Sequence, residues 1–130
     1  MLRISPILVI VLLGLLANDT VSAAKSVNDK SHHVTFGAQG PREVHLGRFT
    51  AMEKFKPMQI VEGKFIYSVK PNDLHYDRTI TRIVVTDQYD NGNGGYATLK
   101  DGGPSTNYAV IQFKSQRNHG YNFIIDIYGI

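Results

Sequence analysis

Apolar residues along the chain fall into three regimes. Ile4 to Leu16 is an almost unbroken apolar run, entered past Arg3 and left through Asn18 and Asp19. Lys25 to Ser31 is polar and has no period. From His32 onward apolar residues come in short groups, mostly at alternate positions, punctuated by Gly, Pro, Asn and Asp. Alternation marks strands with one buried face, and no window carries a helical period. The last third is clearest: Tyr108 to Lys114 puts Ala109, Ile111 and Phe113 on one face, and Tyr121 to Tyr128 does the same with Tyr121, Phe123, Ile125 and Ile127. The polar connector Ser115 to Gly120 reads as a hairpin joining those two strands. Lys64 to Val69 places Phe65, Tyr67 and Val69 on one side before Pro71, Asn72 and Asp73 break it. Ile80 to Asp87 opposes Thr81, Ile83 and Val85 to Ile80 and Val84, so it reads as a central strand covered on both faces, with Arg82 reaching a rim or a carboxylate. With Val34 to Phe36 and Val44 to Phe49, the spacing predicts an all-β, single-domain antiparallel β-sandwich, with a small β-barrel as the alternative.

The first regime has a different meaning. Arg3, the apolar run and the small residues Val21 to Ala24 form a signal peptide over residues 1–23, cleaved after Ala23 or Ala24. The run falls short of the roughly 20 residues that span a bilayer, and Pro6 disturbs a helix. Residues 24–31 read as a flexible N-terminal tail and 32–130 as the β-rich domain. The chain is therefore expected to be secreted and extracellular, without membrane contact after cleavage.

Composition narrows the chemistry. The 130 residues contain no cysteine, which excludes thiolate zinc sites, thiol nucleophiles and disulfides. The formal net charge is +3, and loss of Arg3 and Asp19 with the leader leaves it unchanged. Lys and Arg form no cluster, so no direct nucleic-acid partner is implied. No Gly-x-Ser-x-Gly elbow occurs, the carboxylates are scattered, and His32, His33, His45, His75 and His119 lie in different segments. The expectation is a protein that is not an enzyme, with no catalytic, cofactor or metal residues.

Two polar stretches remain. Asp87 to Tyr96 holds three glycines and two asparagines. An EF-hand reading fails because Tyr89 and Thr98 fall where ligands belong, and a phosphate cradle fails because a strand, not a helix, follows. It reads as a tight turn, with Asp90, Asn91 and Asn93 as candidate partner contacts. Lys100 to Ser105 repeats the turn pattern. In the Ser115 to Gly120 connector, Arg117 and His119 are two donors suited to a carbohydrate or a small anion; the plainer reading is a solvated turn.

The stretch Thr79 to Tyr89 with Asn91 to Ala97 resembles the insect family called multiprotein bridging factor type 2 or probable salivary secreted peptide. Gly102-Gly103, Asn107-Tyr108, Phe113 to Gly120, Asn122-Phe123 and Ile127 to Gly129 are similar to its C-terminal pattern. Upstream, His33 to Gly37 resembles an early element that usually carries Trp where Phe36 stands; Met52 to Asp73 matches nothing in that pattern. The resemblance implies a small non-enzymatic protein of saliva, venom or haemolymph that binds an unknown protein or small ligand outside the cell. The founding name implies the alternative, a transcriptional coactivator bridging an activator to the basal machinery. The leader argues for the first, and starts at Met52 or Met58 would discard Val34 and Val44 to Phe49.

Overall fold

The computed structural model describes residues 29–130; the signal peptide read at 1–23 and residues 24–28 of the expected tail lie outside them. Seven strands follow in order: β1 (Val34–Gly37), β2 (Val44–Glu53), β3 (Glu62–Ser68), β4 (Ile80–Asp87), β5 (Tyr96–Gly102), β6 (Tyr108–Lys114) and β7 (Tyr121–Gly129). Every pairing between them is antiparallel. They form a four-stranded sheet, β1-β4-β7-β2, and a three-stranded sheet, β3-β6-β5. The two sheets face each other as a sandwich and do not close into a barrel. No helix occurs among the described residues.

The alternating apolar residues supply the core. Ile83, Val85, Phe123, Ile125 and Ile127 on one sheet and Ala109, Ile111 and Phe113 on the other are fully buried. Removing such side chains from water is worth about 1.5–3 kcal/mol each for the larger ones. Aromatic rings join the layers: Phe113 packs at 5.1 Å from Phe123 and 5.4 Å from Tyr121, and Phe49 at 5.1 Å from Phe65. The Tyr121 hydroxyl rests against Gly63, where an added Cβ would stand 2.2 Å from it.

Three expectations change. The connector between β6 and β7 is not a hairpin, because β6 pairs with β3 and β5 while β7 pairs with β2 and β4. Alternation reports which face of a strand is buried, and both inner faces of a sandwich look alike to it. The Asp87 to Tyr96 stretch likewise crosses between sheets, whereas residues 103–107 do join a paired β5 and β6. Within β4, Ile80 is buried alongside Ile83 and Val85 rather than opposite them. A register shift between Ile80 and Arg82 is the cause, since one extra residue moves a side chain to the other face.

The outer face of the larger sheet carries paired charges. Arg82 Nε donates to Glu43 Oε1 at 2.7 Å and its guanidinium lies 3.9 Å above the Tyr128 ring, so Arg82 does reach a carboxylate. On the neighbouring row, Asp126 of β7 accepts from Arg48 Nε at 2.8 Å, Arg48 Nη2 at 3.2 Å and His45 Nε2 at 2.7 Å. Burial alone would raise the Asp126 pKa, but the hydrogen bonds from Arg48 and His45 and the charge of the Arg48 guanidinium outweigh it and hold the carboxyl below its ordinary value. Glu43 is lowered in the same way, against its burial, by Thr81 and Arg82.

A carboxyl depressed in the folded state binds fewer protons than in the unfolded chain, so its contribution is complete above the unfolded pKa and lost as pH falls through the folded one. Thermal midpoints should therefore drop on acidification below the ordinary carboxylate range. Asp126→Asn should cost about 1 kcal/mol at neutral pH and make that acid limb shallower; parallel limbs in the two proteins would contradict the assignment.

Candidate functional site

Three of the four crossings between the sheets lie at one end of the sandwich: residues 54–61 after β2, 88–95 after β4 and 115–120 after β6. The ladders fix this, because the end of β2 (Glu53) pairs with the start of β7 (Tyr121), and the end of β4 (Asp87) pairs with Phe123.

The third crossing ties down the other two. Ser115 Oγ accepts from Val61 N–H at 2.8 Å and Ser115 N–H donates to the Val61 carbonyl at 2.9 Å. Asn118 N–H donates to the Gln59 carbonyl at 2.8 Å, while Asn118 Oδ1 accepts from Met58 N–H at 3.1 Å. Arg117 Nη1 donates to the Met58 carbonyl at 2.9 Å. These bonds hold Met58 at φ 64°, a left-handed conformation that costs a non-glycine residue about 1–2 kcal/mol. On the other side, Gln116 Nε2 donates to the carbonyls of Gly92 at 2.7 Å and Gly94 at 3.0 Å.

The glycine-rich crossing is shaped by close approach more than by turn conformation. Gly92 alone among its glycines has positive φ, at 88°. A Cβ on Gly94 would stand 2.4 Å from the Asp87 carboxylate, and one on Gly95 2.7 Å from the Lys114 carbonyl. Asp87 is buried and accepts from His32 N–H at 2.8 Å and Tyr89 N–H at 3.0 Å. Within the segment expected as a tail, Lys30 N–H donates to the Asp90 carbonyl at 2.9 Å, and Ser31 is buried.

Between the crossings lies an open groove of about 340 Å³. The first crossing contributes Lys54 and Phe55, the second Tyr89, Asn91 and Asn93, and the third Asn118, His119 and Gly120. Of the candidates drawn from the sequence, Asn91, Asn93 and His119 are brought together here. Asp90 is not among the lining residues, and Arg117 is engaged with Met58 rather than paired with His119. Lys54, Phe55, Tyr89 and Asn118 were not singled out from sequence. An aromatic isolated among the polar residues 53–57 was the available signal for Phe55, which is 58% exposed.

A second hollow of about 380 Å³ opens between β2, β3 and the connection to β4. Its lining includes Leu46, Phe49, Phe65 and Tyr67, which also belong to the core or pack against it. It contains none of the sequence candidates. Among the described residues, no three of His, Asp or Glu converge as a metal site.

Gly120 forms part of the groove floor. A Cβ there would meet the Glu53 carbonyl at 2.2 Å and the Phe55 nitrogen at 2.9 Å, both backbone atoms. Gly120→Ala should therefore destabilise the domain by about 1–3 kcal/mol and displace the backbone at 53–55. A thermal melt and amide NMR shifts test this, and unshifted Lys54 and Phe55 amides would refute it.

A probable salivary secreted peptide of Bombus ignitus is 37% identical over 106 residues, spanning 82% of this chain and 75% of that protein. No solved structure matches. A family model described as transcription activator MBF2 covers residues 36–129. That span runs from the inward aromatic of β1 to the end of β7 and takes in both sheets and all three crossings of the groove, and the chain belongs to the MBF2 family.

Proposed function

We propose that the protein is an exported, non-catalytic binding protein of an insect secretion or body fluid, and that it takes its partner at the groove formed by the three crossings. The observation carrying this reading is that groove: an irregular surface held in place from two sides by Ser115, Gln116, Arg117 and Asn118, with two exposed aromatics upon it. Loops fixed on a rigid β scaffold are a common site of recognition. Export is supported by the signal-peptide pattern read at 1–23 and by the name of the Bombus ignitus relative, a probable salivary secreted peptide. The non-catalytic part is supported by the lining, which holds no carboxylate to pair with His119. A bound partner outside the cell then requires presentation of a surface rather than turnover.

The family description, a transcription activator, is compatible with a second reading, a transcriptional coactivator bridging an activator to the basal transcription machinery. The two differ in compartment. Mass spectrometry of saliva, venom and haemolymph should find the protein with Ala24 or Lys25 as its first residue. Protein retaining an intact leader in tissue, with none in any secretion, would overturn export; nuclear protein whose leaderless form binds a transcription factor would establish the second reading.

A further inference from the structure

We infer that the groove takes a saccharide unit, packed on the Phe55 and Tyr89 rings and hydrogen-bonded by the side-chain amides of Asn91 and Asn118. The inference rests on the groove being the binding site of an exported protein, and it adds the chemical class of the ligand.

The two rings supply the apolar half. Phe55 is 58% exposed and Tyr89 36% exposed, both line the groove, and among the described residues neither stacks on another ring of the protein. An aromatic face left open to water attracts polarised C–H bonds, and the flat side of a pyranose ring presents a row of them.

The polar half consists mainly of donors whose orientation is already fixed. Asn91 Oδ1 accepts from Asn93 N–H at 3.0 Å and Asn118 Oδ1 accepts from Met58 N–H at 3.1 Å. Only the carbonyl end of an amide can accept, so these bonds settle which end is which. Each Nδ2, with two hydrogens, has no protein partner among the described residues. Holding a donor in place before binding reduces the ordering cost of association. Lys54 adds a cation, and no carboxylate lines the groove.

A matching ligand has a flat C–H face and a rim rich in oxygen acceptors, which describes a sugar ring. An extended peptide brings backbone N–H groups that need acceptors, and the Asn91 and Asn118 oxygens each already accept one hydrogen bond from the protein backbone. A lipid chain would leave the amide donors unpaired at a cost. The volume of about 340 Å³ is at the small end of the ~300–1,000 Å³ usual for small-ligand sites, which favours a short terminal unit of a glycan.

The test is an NMR titration of the mature chain with three probes: a neutral glucan trisaccharide, an acetamido trisaccharide and a uronate-containing tetrasaccharide. At least one should saturate below about 10 mM and shift the signals of Tyr89, Asn91 and Asn118. Asn91→Asp and Asn118→Asp each preserve the oxygen that accepts from the backbone and replace the free NH2 with an acceptor. They should keep the wild-type melting profile while weakening that probe about tenfold or more, and Phe55→Ala and Tyr89→Ala should weaken it similarly. No saturation by any probe, or unchanged affinity in both Asp variants, overturns the inference. So does cosedimentation with phosphatidylserine vesicles that is lost in Phe55→Ala while all three sugars give no response, because the loop would then be a lipid contact. Protein recovered from a secretion but inert to all three sugars removes the ligand class and leaves export standing; protein confined to nuclei removes export whatever the purified chain binds.

Discussion

The crossing from β6 to β7 is the constraint on which the molecule turns. Phe113 near the end of β6 and Tyr121 at the start of β7 both point into the core and stack at 5.4 Å, although their strands belong to opposite sheets. The chain between them has to bridge the thickness of the sandwich with polar backbone, and buried backbone groups must find partners. Ser115, Gln116 and Asn118 meet that demand by bonding to the other two crossings, so the satisfaction of one segment becomes the positioning of three.

This arrangement explains how a domain with no cysteine keeps an ordered loop end. Small exported domains often use disulfides where loops meet. Here the links are side-chain amides and hydroxyls bonded to backbone, together with the buried Asp87 carboxylate, whose two oxygens serve the chain entering β1 and the chain leaving β4. Glycines at 94, 95 and 120 permit the close contacts that such links require. The charged network around Asp126 and Glu43 occupies the outer face of the larger sheet and is separate from the groove lining.

Family membership and groove geometry answer different questions. Membership joins this chain to a group that carries both a transcriptional and a secretory name, and those two names require different compartments. The groove sets Lys54 and Phe55, from the crossing after β2, beside Asn118 and His119, from the crossing after β6, and both crossings lie within the residues matched by the family model.

By itself the sequence determined which residues face inward, since alternation along one strand is a local property: Ala109, Ile111, Phe113, Tyr121, Phe123, Ile125 and Ile127 are all buried as their spacing required. It also marked Asn91, Asn93 and His119 as turn residues with contact potential. Only the tertiary structure decided which sheet each strand joined, where the bulge in β4 reset its register, and that Phe55 and Tyr89 would flank the same groove as His119. Those outcomes depend on pairing and packing between residues far apart in the chain, whose energies leave no periodic trace in the neighbouring amino acids.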